Sequence, residues 1–161
     1  MIVARNGDGA GCGFCLSNDG ATYTRSAALI DENGNSVHEA TWNYYASEGV
    51  SLIENPADPL ADWIESNQLT PGALNGNAST PETVACEDIC VNEVIPNPMG
   101  NDSRDWPNGE WIEIENVGND TVDLDGWELR TGTIHSILIH ARPRRISCDS
   151  SRHCFHGFLA K

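Results

Sequence analysis

Positive charge is what this sequence has least of. Its 161 residues include nine Lys and Arg against 24 Asp and Glu, a formal net charge of −15. A surface that negative repels nucleic-acid phosphates and anionic lipid head groups, which excludes a nucleic-acid role for the acidic region. Long apolar runs are also missing. No stretch approaches the roughly 18 consecutive apolar residues of a membrane-spanning helix. Nor does a secretory leader open the chain: Ile2-Val3-Ala4 gives way at once to the turn-prone Asn6-Gly7-Asp8-Gly9, so the start reads as the end of a strand. We expect a fragment that begins inside a longer protein. Catalytic signatures are absent too. There is no Gly-x-Ser-x-Gly and no His-Glu-x-x-His, and His38 is the only histidine before residue 135. No catalytic residue is expected, and the chain is not expected to be an enzyme. Six cysteines are too few for a disulfide scaffold, but enough for local bridges or one metal site.

Apolar residues make up 39% and include five tryptophans, enough for a packed core. They fall in short runs separated by turn clusters. Glu32-Asn33-Gly34-Asn35 signals a hairpin, with Asn-Gly suited to a type I′ turn. Ser36 to Trp42 alternates, and Val50 to Ile53 is a second short run. The clearest strand is Gly109 to Asn116, GEWIEIEN, whose alternation places Ile112 and Ile114 on one face and acids or Trp111 on the other. Thr121 to Leu124 and Gly126 to Arg130 follow between turns. Only residues 58–68 could form a helical turn, limited by Pro56 and Pro59. Many short strands at close turn spacing imply an all-β sandwich.

The chain divides by composition. Residues 76–88 are small, polar and Pro/Gly-bearing, as in a linker between two folded parts, 1–75 and 89–134. Residues 1–134 hold 23 acids and four bases, net −19, whereas residues 135–161 hold one acid and five bases, net +4. Asn and the hydrophobic patterning both stop at that point. Residues 135–161 are therefore expected to be an atypical basic tail, foreign to the domain and loosely attached.

Three pieces in order carry a resemblance: Val91-Asn92-Glu93-Val94-Ile95-Pro96-Asn97-Pro98; Gly109-Glu110-Trp111-Ile112-Glu113-Ile114-Glu115-Asn116; and Val122-Asp123-Leu124-Asp125-Gly126-Trp127-Glu128-Leu129. Together they resemble the opening half of a lamin tail domain. Residues 1–75 resemble its closing half, from Ile2-Val3-Ala4 through Leu29 to Val37 and on to Asp62-Trp63 and Thr70-Pro71-Gly72-Ala73-Leu74-Asn75. The chain thus looks like the end of one copy followed by the start of a second. The resemblance implies an immunoglobulin-like β-sandwich of the prokaryotic extracellular type. It also implies structural roles for Trp63, Pro71, Gly72, Trp111, Gly126 and Trp127, with no catalytic residue to carry over. If the two half-copies complete each other, a permuted sandwich results, with Trp42, Trp111, Trp127, Ile112, Ile114, Leu29 and Leu124 in one core.

Two candidate chemistries remain. Cys12-x2-Cys15 and Cys86-x3-Cys90 could together ligate zinc, but local disulfides in an exported protein are the expectation. Acidic loops at 101–105 and 120–125 are where calcium would bind. Calcium needs six to eight oxygens, neither run has a calcium-loop pattern, and a solvated acidic surface with no cofactor is expected. The function expected is a structural, adhesion or binding module of a larger secreted or cell-surface protein. Its partners would be a protein or cell-surface polymer and neighbouring domains of the same chain. The alternative is an accessory domain of a secreted hydrolase or nuclease whose catalytic domain lies outside this sequence.

Overall fold

The structure, a computed structural model, describes residues 2–4, 16, 25–58, 60–71, 88–100, 104, 108–132 and 135–139; for residues 2–4, 135 and 137 the description is of the backbone. Among the described residues nine strands follow in order: β1 (Ile2–Ala4), β2 (Arg25–Ile30), β3 (Ser36–Trp42), β4 (Ser51–Ile53), β5 (Ile64–Ser66), β6 (Ile89–Ile95), β7 (Trp111–Asn116), β8 (Glu128–Thr131) and β9 (His135–Leu138). There is no helix among the described residues, and those described within 58–68 give turns followed by β5 in place of a helical turn. The strands form two antiparallel sheets, one of five strands ordered β1-β7-β6-β4-β5 and one of four ordered β3-β2-β8-β9. This is an immunoglobulin-like sandwich. One apolar core lies between the sheets, built from Leu29, Trp42, Leu52, Val94, Ile112, Ile114, Leu124, Trp127 and Leu129 among others.

The alternation of GEWIEIEN works as expected: Ile112 and Ile114 face this core. Trp111 is equally buried but lies outside the core cluster, since its position in the alternation puts it on the outer face of the five-stranded sheet. The seven residues expected in one core therefore contribute six to it. In β6 a bulge falls between Val91 and Glu93. Val91 pairs with Ile114 and Glu93 with Glu113, so Asn92 is the extra residue and Val91 and Val94 both reach the core.

Strands from before and after residues 76–88 pair with one another in both sheets. β2 lies between β3 and β8, β7 between β1 and β6, and β6 between β7 and β4. Residues 135–139, expected to be loosely attached tail, are instead part of the sandwich: β9 pairs with β8, and Ile139 is buried in the core. The composition shift at 135 reports a change of surface charge, whereas pairing to β8 requires only an extended backbone with one apolar face.

The β2–β3 hairpin also differs from expectation. Gly34 N–H donates to the Asp31 carbonyl at 3.0 Å and Asp31 N–H to the Asn35 carbonyl at 2.9 Å, so the loop is residues 32–34 and ends on Gly34 at a positive φ of 86°. That is a three-residue loop, not a two-residue type I′ turn. Asp31 selects it by accepting the Asn33 and Asn35 backbone N–H groups at 2.9 and 2.7 Å and the Asn35 amide at 2.8 Å. These bonds hold the Asp31 carboxyl below its ordinary value, the Asn35 side chain contributing most. Before β8, Trp127 N–H donates to the Leu124 carbonyl at 3.1 Å across Asp125-Gly126. Gly126 has a φ of 84°, which the third position of a type II turn requires, and the turn delivers Trp127 to the core.

Candidate functional site

Two places bring chemistry-bearing side chains together. The first is the outer face of the five-stranded sheet. Glu93 is fully buried there, 0% exposed, with Glu113 as its register partner and Ser51 on the neighbouring strand. Its carboxylate accepts the Thr70 backbone N–H at 3.2 Å and the Thr70 hydroxyl at 3.1 Å. Ser51 Oγ lies near enough to favour the charged form but falls short of hydrogen-bond geometry. Burial dominates, with the charge of Glu113 adding to it, and the Glu93 carboxyl is pushed above its ordinary value. Glu113 accepts the Asn92 side-chain amide at 3.0 Å, so the bulge residue satisfies the neighbouring acid. Glu110, also buried, accepts the Leu16 N–H at 3.4 Å. These carboxylates tie loops to the sheet. Alternation in the sequence placed Glu113 with Trp111 on the face away from Ile112 and Ile114, and no signal in it marked that face as covered.

The second place is a cleft of about 290 Å³ along the outer edge of β3. Ser36, Val37, His38, Glu39 and Thr41 form one wall, and Glu54, Leu60, Ala61 and Trp63 the other. The walls are joined where Trp63 N–H donates to the Thr41 carbonyl at 2.9 Å. Tyr44 reinforces the joint by donating its hydroxyl to the Trp63 carbonyl at 2.7 Å. Burial first, then the charges of Glu65 and Asp62, push the Tyr44 phenol up to about 12, so it remains a donor. His38 Nδ1 accepts the Val91 N–H at 3.2 Å, and its ring lies 6.3 Å from that of Trp63. Burial lowers the His38 pKa. With Nδ1 used as an acceptor, its role is to pin β3 across the sandwich to β6.

Of the cysteines, Cys90 lies on β6 and is engaged in a disulfide; Cys12, Cys15 and Cys86 lie outside the described residues. Trp63 and Trp127 are in the core, and Pro71 closes a described stretch, with Gly72 outside it. Among the described residues, no three His, Cys, Asp or Glu side chains are grouped to hold a metal ion. The 120–125 loop uses its oxygens internally: the Asp120 carbonyl accepts the Asn116 amide at 2.8 Å, and Asp123 accepts the Asp125 N–H at 3.0 Å. Of the 101–105 loop only Arg104 is described. No helix of the described residues is long and apolar enough to cross a membrane.

Fold and polar groups together define an immunoglobulin-like β-sandwich module whose buried acids serve the architecture. The family model of the Lamin Tail Domain matches residues 82–143, and this segment, carrying β6 to β9, is lamin-tail-domain sequence. That family comprises non-catalytic, structural immunoglobulin-like domains. Neither a curated protein nor a solved structure matches the chain.

Proposed function

We propose that this chain is a non-catalytic binding and architectural module of a larger exported protein, located outside the cell or on its surface. The family match over residues 82–143 carries the reading, because it falls on strands that form part of both sheets. The disulfide at Cys90 supports an oxidising compartment. The net charge of −15 supports a protein or cell-surface polymer as partner over nucleic acid. In this reading residues 1–75 are the closing half of one lamin-tail-like copy, 76–88 a linker and 89–134 the opening half of a second. The two halves complete one sandwich. No cofactor is required.

The test is turnover. Purified protein offered ester, peptide, glycoside and phosphodiester substrates is expected to hydrolyse none of them. Turnover that follows the protein through purification and disappears in His38→Ala overturns the reading. Thiol counting on protein from its native host checks the export part: Cys90 is expected to be blocked until reduction.

A further inference from the structure

β3 is an edge strand of the four-stranded sheet, and at seven residues it is the longest of the four strands that end a sheet here. Its pairing shows which backbone groups are spare. The Thr41 carbonyl bonds to Trp63, on the side away from β2, so Thr41 and its β2 partner Ser26 form a non-hydrogen-bonded pair. In agreement, the Ser26 carbonyl accepts the Gly132 N–H on the far side of β2. Two residues back, Glu39 repeats that orientation, so its N–H and C=O face outward into the cleft. Ser36, Val37 and Glu39 are exposed, and no described strand lies beyond them.

The cleft's walls say what would fit. Glu39 and Glu54 line it, with no Lys or Arg among the described lining residues. Val37 and Leu60 add apolar surface, Leu60 at 93% exposure on the turn after β4. A second copy of the chain meeting this edge would set Glu39 and Glu54 against their own kind. An extended cationic segment would meet opposite charge and also satisfy the spare backbone groups.

We propose that the free edge of β3 binds an extended, lysine- or arginine-bearing segment of a partner protein as an added strand of the four-stranded sheet. This deepens the binding-module reading and rests on it. Backbone pairing supplies affinity, Glu39 and Glu54 select cationic side chains, and Val37 with Leu60 receives the apolar side chains between them.

The experiment uses the full chain and two short synthetic peptides, one alternating lysine with valine and one alternating glutamate with valine. Backbone amide exchange of Glu39 and Thr41 is followed by NMR. The lysine peptide is expected to slow exchange at Glu39 by about tenfold or more at saturation. The glutamate peptide is expected to have no effect, and added salt to weaken the lysine complex. Glu39→Pro removes an outward N–H without breaking a bond to β2. It is expected to abolish binding while the thermal midpoint stays unchanged. If Glu39→Pro fails to fold, Glu39→Lys replaces it, with an expected loss of about tenfold in affinity. Protection mapping to another edge, equal binding of both peptides, a dimer formed through β3, or no binding of the lysine peptide overturns the proposal. None of these outcomes produces hydrolytic turnover, so failure here is distinguishable from failure of the module reading.

Discussion

Leu29 on β2 and Leu129 on β8 are register partners, both 0% exposed, and they come from opposite sides of residues 76–88. If they line one core, removing either side chain must weaken the same cooperative unit. Leu→Ala at a fully buried site costs about 2–5 kcal/mol, from lost transfer energy plus the cavity left behind. A cost near 3 kcal/mol would lower the midpoint of a domain this size by roughly 6–12 °C. That is a large share of a total stability of about 5–15 kcal/mol. The two sites are in contact, so the double variant should depart from additivity by about 0.5 kcal/mol or more. The assay is urea unfolding followed by tryptophan fluorescence, since Trp42 and Trp63 report from one side of residues 76–88 and Trp111 and Trp127 from the other. One transition, shifted by either single substitution, is expected. Two transitions, each answering to one substitution, or strict additivity in the double variant, would refute a shared core.

Two further substitutions test local features. Burial raises the Glu93 carboxyl, so between its ordinary value of 4.5 and the raised value the folded chain holds more protons than the unfolded one. Stability contributed by Glu93 is thus present below 4.5 and lost as pH rises through the raised value. Glu93→Gln keeps an acceptor for Thr70 and is expected to flatten that decline, measured as unfolding midpoint against pH; an unchanged slope counts against a buried, raised Glu93. At the type II turn, Gly126→Ala places a side chain at a φ of 84° and is expected to cost about 1–2 kcal/mol by denaturant unfolding, with a neutral result excluding the turn.

How far the sequence revealed this arrangement depends on what each feature needs. β7 was legible because six residues of strict alternation on a two-sided strand leave one assignment. The β2–β3 hairpin was legible from Asn33-Gly34, yet its loop was not, because Asp31 decides it through bonds reaching up to four residues ahead. β5 is three residues long, too short for any period to show. β9 was hidden by charge: four strand residues opening a basic segment look like its start, and only pairing to β8 distinguishes them. The burial of Glu93 was not legible for a different reason. Alternation says which residues share a face but not whether that face is covered, and the group that satisfies Glu93 is Thr70, far away in sequence. The β3 cleft joins residues 36–41 to 54–63, so it exists only once topology is known.

The interleaving of strands bears directly on how the β3 edge could serve in recognition. An added strand gains affinity only if the edge it meets is already straight and fixed, because ordering it on binding would subtract from the interaction. β3 is held on its inner side by β2, and β2 in turn by β8, a strand of the family-matched segment. Across the sandwich His38 pins it to Val91 of β6, also in that segment. At its far end Trp63 and Tyr44 close the cleft through the Thr41 and Trp63 carbonyls. The edge therefore belongs to one part of the chain, while part of its rigidity is supplied by the other. A partner that reads β3 would read the completed sandwich, and a chain lacking β6 to β9 would lose the strand partner of β2 and the His38 anchor together.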